Sequence, residues 1–292
     1  MTSVLEKIVG APVVLEELKR KPGRRHTMRA VGSRRCAIVK AYQSERAPIV
    51  AARLRGLAAG PTEPEVPEVL HEDWSLQLVV LSEVPGTPLR DALLSDDFTQ
   101  CNRAGAALGA WHAFWRGAAP PPLEPHTCAR EIEILLRSAD GADPEIGERV
   151  RHAASSMSAE WPIATVVHRD LYEDQIVLGE HVGLIDLDDA ALGPPELDIG
   201  NLLAHIELLE LRTNRSLTPA VEALLRGYGP CSPDQSLLDR CYALTLLRLA
   251  CIHGLPECVE RAYGGGLCSS RSVADRVRLL SALTRRLAHS GT

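Results

Sequence analysis

The stretch His168-Arg169-Asp170-Leu171-Tyr172-Glu173-Asp174-Gln175 is followed by Ile176-Val177-Leu178, Gly179-Glu180-His181, Val182-Gly183-Leu184-Ile185 and Asp186-Leu187-Asp188-Asp189. It closes on Gly193-Pro194-Pro195-Glu196-Leu197-Asp198, and its reading decides the fold. Two short apolar runs around a three-residue loop containing Gly179 predict a hairpin. If Leu178 faces Val182, pairing counted outward is expected to bring Gln175 and Asp186 together at the open end, beside Asp170. An Asp on a loop, an amide five residues on and a second Asp just past a hairpin supply a base for a hydroxyl and hard oxygen ligands for magnesium. That is equipment for phosphoryl transfer. An ordinary polar hairpin with charged ends accounts for one such group, and less easily for all of them.

The stretch resembles the aminoglycoside phosphotransferase family, the small-molecule branch of the protein-kinase-like fold. The family pattern reads H-G-D-x-x-x-x-N, a hairpin, then I-D-x-x-x-x-x-x-G-D-P-x-x-D. His168, Asp170, Asp186 and Asp198 fall in register; Arg169 stands where the family often has Gly, and Gln175 where it has Asn. Gln carries the same amide oxygen on a longer stem. The resemblance implies an α+β, bilobal protein-kinase-like fold. Residues 1–83 would form an N-terminal nucleotide-binding lobe, an antiparallel sheet with one helix, and residues 84–292 a mainly helical catalytic and substrate-binding lobe. It implies Asp170 as the catalytic group, Gln175 and Asp186 as magnesium ligands, His168 and Asp198 as structural support, and ATP with Mg2+ as the phosphoryl source. GTP in place of ATP stays open.

Upstream, Val13–Leu18, Thr27–Val31 and Cys36–Tyr42 read as three strands of a meander separated by turns. Lys40 follows Ala37-Ile38-Val39 on the third, as the phosphate-pairing lysine follows the V-A-I run of kinases. No G-x-G-x-x-G is present. The turn Pro22-Gly23-Arg24-Arg25 could cradle phosphates by charge through Arg24 and Arg25, or be a solvated basic turn. Apolar spacing predicts a helix within Ser44–Gly60. The family brings a Glu from this helix to the strand lysine, yet the aligned position is Val50, and Glu45 is the segment's one acid. The partner of Lys40 is left open.

Pro61–Pro67 reads as an extended linker. A hairpin follows, with its turn expected at His71-Glu72-Asp73 and its second strand running into Ser82-Glu83-Val84-Pro85-Gly86. These residues look like the family hinge, where backbone groups meet adenine. Helices are expected over Asn102–Gly117, Glu131–Arg137, Gly147–Ala159, Leu202–Leu211, Thr218–Tyr228, Leu237–Cys251 and Ser272–Leu287, with His112 structural.

The 292 residues, 45% hydrophobic, can bury a large core, and a net charge of −6 with mixed signs gives no reason to expect nucleic acid. No apolar run approaches a membrane span and the N-terminus lacks a signal core, so a cytoplasmic protein, monomeric or homodimeric, is expected. Eight scattered cysteines without a Cys-x-x-Cys pair read as reduced thiols. Only eleven residues separate Asp186 from Asp198, too few for a protein kinase's docking loop. The expected acceptor is a small hydroxyl compound, aminoglycoside-like or sugar-like. Glu173, Asp174, Asp188, Asp189 and Glu196 would suit a cationic one, though the Arg-rich later helices leave this open. Asp188 and Asp189 read either as further metal or substrate ligands or as solvated loop charge. The alternative reading of the whole chain is a catalytically impaired, nucleotide-binding pseudokinase acting as a regulator.

Overall fold

The computed structural model describes residues 2–155, 157, 160–229 and 234–263. Strands β1 (Val14–Lys21), β2 (Arg25–Val31) and β3 (Cys36–Tyr42) run antiparallel in chain order, as the turn residues between them predict. β4 (Val69–Asp73) and β5 (Leu78–Ser82) complete a five-stranded sheet of order β1-β2-β3-β5-β4. Strand periodicity sends alternate side chains of β3 to opposite faces. Ala37 and Val39 pack with Leu5 and Val9 of α1 (Thr2–Val9), while Tyr42 packs with Val50 and Leu54 of α2 (Ala47–Leu57). Lys40 therefore lies on the α2 face.

The N-terminal part has two helices among the described residues rather than one, because Leu5 and Val9, one helical turn apart, cover the far face of the sheet. The β4–β5 reversal falls at Trp74–Gln77 rather than at His71-Glu72-Asp73. Asp73 drives it, its carboxylate accepting from the backbone of Ser75 (3.0 Å) and Leu76 (3.1 Å), which offers the chain a local turn in place of another ladder step.

The linker 61–67, expected to be extended, bends at residues 62–64 and is tied to the second half of the molecule. Glu65 bridges to Gly183, and the Val182 amide donates to the Glu63 carboxylate at 2.7 Å. Beyond Ser82, β6 (Thr87–Pro88) pairs with β8 (Ile176–Leu178), which pairs with β9 (Val182–Leu184). The remaining elements are mainly helical: α3 (Leu89–Leu94), α4 (Phe98–Gly117), α5 (Cys128–Asp140), α6 (Pro144–Ser155), α7 (Pro195–Thr213), α8 (Thr218–Tyr228), α9 (Gln235–His253) and α10 (Pro256–Tyr263). A short pair, β7 (Thr165–Val167) with β10 (Ala191–Gly193), brackets the loops of interest. The helix expected at Ser272–Leu287 lies outside the described residues.

Wholly buried Trp111 of α4 donates from its indole to the Val166 carbonyl at 3.1 Å, fixing β7 on the core. Gly105 and Gly109 let α4 lie directly on the backbone of α8, since a Cβ at either would strike the Leu224 or Tyr228 carbonyl. That approach sets His112 against Tyr228. Cys36, Cys101, Cys128, Cys241, Cys251 and Cys258 are free thiols, five of them in helices. No described helix is long and apolar enough to cross a membrane.

Candidate active site

The loop after β7 is held from behind. Asp198, fully buried in the first turn of α7, accepts from the His168 amide (2.7 Å) and the Arg169 amide (2.8 Å). His112 Nε2 lies 3.2 Å from the same carboxylate, with its Nδ1 2.8 Å from the Tyr228 hydroxyl. Asn201 donates to the Arg169 carbonyl at 2.6 Å, and His168 Nε2 donates to the Ile185 carbonyl at 2.8 Å. These bonds hold Arg169 in the left-handed region at φ 73°, a conformation that suits the Gly more usual there. Asp170 follows with its side chain half exposed (50%) and its Oδ1 3.7 Å from Arg248 Nη2.

The hairpin has the expected Leu178–Val182 register, but the register places Ile185, not Asp186, opposite Gln175. The Ile185 amide donates to the Gln175 carbonyl at 3.0 Å, and Asp186 is the next residue along. Pairing across a hairpin is symmetric about its loop, and an outward count from Leu178 and Val182 reaches Gln175 with Ile185. Gln175 is buried; Asp186 leaves the hairpin at φ 61° and opens a short 3-10 turn over Leu187–Asp189.

Asp186 and Asp188 meet the sheet there. Lys40, 5% exposed, places its ammonium 2.7 Å from Asp186 Oδ1 and 2.6 Å from Asp188 Oδ1. Arg25 holds Asp186 with both terminal nitrogens, at 2.8 and 2.9 Å, and also contacts Asp188. The Tyr42 hydroxyl donates to Asp188 Oδ2 at 2.8 Å. Burial alone would raise the Asp186 pKa, but the Lys40 charge and the Arg25 contacts hold it well below the usual carboxylate range. Burial pushes the Tyr42 hydroxyl well above its ordinary value, with the Asp188 charge adding to it.

The buried acid on Lys40 is thus Asp188 from the post-hairpin turn, not a residue of α2. Val50 is buried in the core and Glu45 is exposed. α2 contributes cations instead. Arg46 at its N-cap donates to the Asp188 carbonyl (3.4 Å) and to Asp189 (2.7 Å), and Arg53 donates to the same carbonyl. Sequence reasoning passed over Arg46, Arg53 and Tyr42. A signal existed for the arginines: positions seven apart share a helix face.

Of the basic turn, Arg25 enters this cluster while Arg24 is exposed and bonds through its backbone. At the hinge, the Ser82 hydroxyl accepts from the Glu68 amide (2.8 Å), Glu83 pairs with Arg29 (2.7 Å), and Val84 is buried against Gly183. Burial first, then the charges of Asp170, Asp174 and Asp186, push the Tyr172 hydroxyl up to about 12.

Residues 23–243 match the family model described as the phosphotransferase enzyme family, APH. The chain belongs to this family. Its members are small-molecule phosphotransferases, and solved structures of such kinases share its fold. Aminoglycoside phosphotransferase APH(3'')-Id from Streptomyces rimosus matches with a TM-score of 0.62 at 18% identity, over 84% of this chain and 96% of that one. The amicoumacin kinase hAmiN, solved with AMP-PNP, Ca2+ and Ami, matches at 0.60 and 12% identity, over 95% and 88%. Choline kinase from Cryptosporidium parvum matches at 0.59 and 10% identity, over 98% and 93%. No curated protein matches the chain at a significant level.

Proposed function

We propose that the protein transfers the γ-phosphoryl group of ATP, carried with Mg2+, to a hydroxyl of a small molecule in the cytoplasm. Residues 1–83 would serve the nucleotide and residues 84–292 the acceptor. The observation that carries this is the convergence of Lys40, Arg25, Asp186 and Asp188 at the mouth of the hairpin, next to a rigidly braced loop that leaves Asp170 half exposed.

No group of three or more His, Cys, Asp or Glu able to enclose a metal occurs among the described residues. Asp186 and the Gln175 amide offer two hard oxygens, which fits an ion that completes its shell on phosphate oxygens and water rather than one caged by protein. Bound there, Mg2+ would neutralise charge on the phosphoryl group in transfer. Lys40 and Arg25, each already poised on an anion, would hold phosphate oxygens. Asp188 keeps Lys40 aimed. Asp170 orients the acceptor hydroxyl and takes its proton, and His168 and Asp198 fix the loop that presents it. The hinge backbone at Ser82, Glu83 and Val84 would meet the adenine.

Two variants separate the roles of the aspartates. Asp186→Asn is expected to raise the Mg2+ concentration needed for nucleotide binding, as a lost ligand must. Asp188→Asn should weaken nucleotide binding with little change in that Mg2+ requirement. Titrations of AMP-PNP at several Mg2+ levels read both; the same Mg2+ shift in both would remove the distinction. Likewise Arg25→Ala should weaken ATP binding by about tenfold, the worth of a charge-assisted hydrogen bond. Arg24→Ala should stay within about twofold. Equal effects would take Arg25 out of the phosphate site.

The regulator reading draws on one observation: Arg25 grips both oxygens of Asp186, the carboxylate a metal needs. A protein stabilised by ATP and Mg2+ that consumes none with any acceptor in a broad screen of antibiotics, sugars and amino alcohols would favour it.

A further inference from the structure

The carboxylates that would attract a cationic acceptor are already engaged inside the protein. Asp188 holds Lys40, Asp189 pairs with Arg46, and Asp174 pairs with Arg90. Glu173 is buried with Arg90 3.8 Å away, and Glu196 is buried with its Oε1 accepting from the Asp234 amide at 2.8 Å. Each of these five thus already has a partner within the protein, while one oxygen each of Glu173 and Asp174 is left without a hydrogen bond.

Beside Asp170, α7 and α9 bring arginines. Arg248 of α9, 13% exposed, lies between two carboxylates, 3.7 Å from buried Glu131 and 3.7 Å from Asp170, and donates to Asn201 at 3.4 Å. Glu131 is shared with His126, at 2.8 Å, so it only partly compensates the arginine. Arg212 of α7 is exposed, and its charge reaches the buried carboxylate of Glu173. One helix face up, at i−7, His205 stacks on Tyr172 with ring centres 5.1 Å apart. Burial first, then the positive charge of Arg248, His253 and Arg212, push His205 down to about 4, with Asp170 pulling the other way.

We infer that the alcohol phosphorylated at Asp170 carries an anionic group, a carboxylate or a phosphate, received by Arg248 and Arg212, rather than the ammonium groups of an aminoglycoside. The inference rests on the phosphotransferase reading and specifies its acceptor. A guanidinium oriented by Glu131 and Asn201 beside Asp170 offers charge-assisted donors to such a group. A polyammonium compound would instead bring like charge against it.

The test uses the full chain with ATP and Mg2+ and four alcohols: glycerate for a carboxylate, glycerol 3-phosphate for a phosphate, glycerol as neutral reference and kanamycin as polycation. ATP consumption is measured alongside thermal stabilisation of the AMP-PNP-bound protein. One or both anionic alcohols should exceed glycerol and kanamycin in kcat/KM and in stabilisation. Arg248→Gln should raise their KM by about tenfold, with the nucleotide KM as internal control. Arg212→Gln provides the same readout should Arg248→Gln fold poorly beside Glu131. Selective stabilisation by the anions without ATP consumption would sink the transfer reading and keep the anion site. Kanamycin or glycerol equal to the anions, or no anion-selective stabilisation at all, overturns the inference while leaving phosphotransfer standing.

Discussion

Asp170→Asn is expected to lower kcat by about 10²- to 10⁴-fold, the range for loss of a positioned general base, with the melting temperature unchanged. The Asp170 side chain is half exposed and its one close ionic contact, Arg248, sits at 3.7 Å, so neutralising it removes little native-state energy. The loop keeps its shape because Asp198, Asn201 and His168 hold the backbone, not the Asp170 side chain. An amide of the same shape still accepts a hydrogen bond from an alcohol but cannot take its proton. Steady-state rates with an accepted alcohol, beside AMP-PNP affinity and thermal unfolding, decide the matter. Full turnover in Asp170→Asn would end the base assignment; a large fall in melting temperature would place Asp170 in the fold rather than the chemistry.

Asp198→Ala should do the reverse, costing about 3–5 kcal/mol of stability, as breaking a buried, multiply bonded charge does, and lowering the melting temperature by on the order of 10 °C. The substitution takes the acceptor from two backbone donors, buried His168 N–H and part-buried Arg169 N–H, and leaves His112 facing a void. Asp198→Asn is not expected to rescue it, since one of the two backbone donors would then face an NH2 group. Differential scanning calorimetry of both variants tests this. A loss below about 1 kcal/mol in Asp198→Ala would mean that other contacts hold the loop.

What the sequence disclosed followed the range of the signal. The Leu178–Val182 register was readable because a short loop fixes pairing, and the same pairing rule places Gln175 opposite Ile185. The β3 strand was legible from its apolar run between turns, its lysine from the likeness to the V-A-I-K strand, and α8 from its spacing, at Thr218–Tyr228. The engagement of Lys40 by Asp188 was not, since it joins residues 148 apart through packing of α2, β3 and the post-hairpin turn. Local periodicity carries no record of such a meeting. The search for a glutamate on α2 failed for a related reason: Arg46 and Arg53 make the connection with the opposite sign, to the Asp188 carbonyl. Helix α1 went unread because only two of its residues, Leu5 and Val9, reach full burial.

The knot of Arg25 and Lys40 with Asp186 and Asp188 has a kinetic corollary. Its formal charges cancel, so it exerts little long-range pull on a polyanion, and capture of the donor would be governed by how often these pairs part rather than by how fast the nucleotide arrives. Resting in this state, the protein is latched, with its own ions as the bolt.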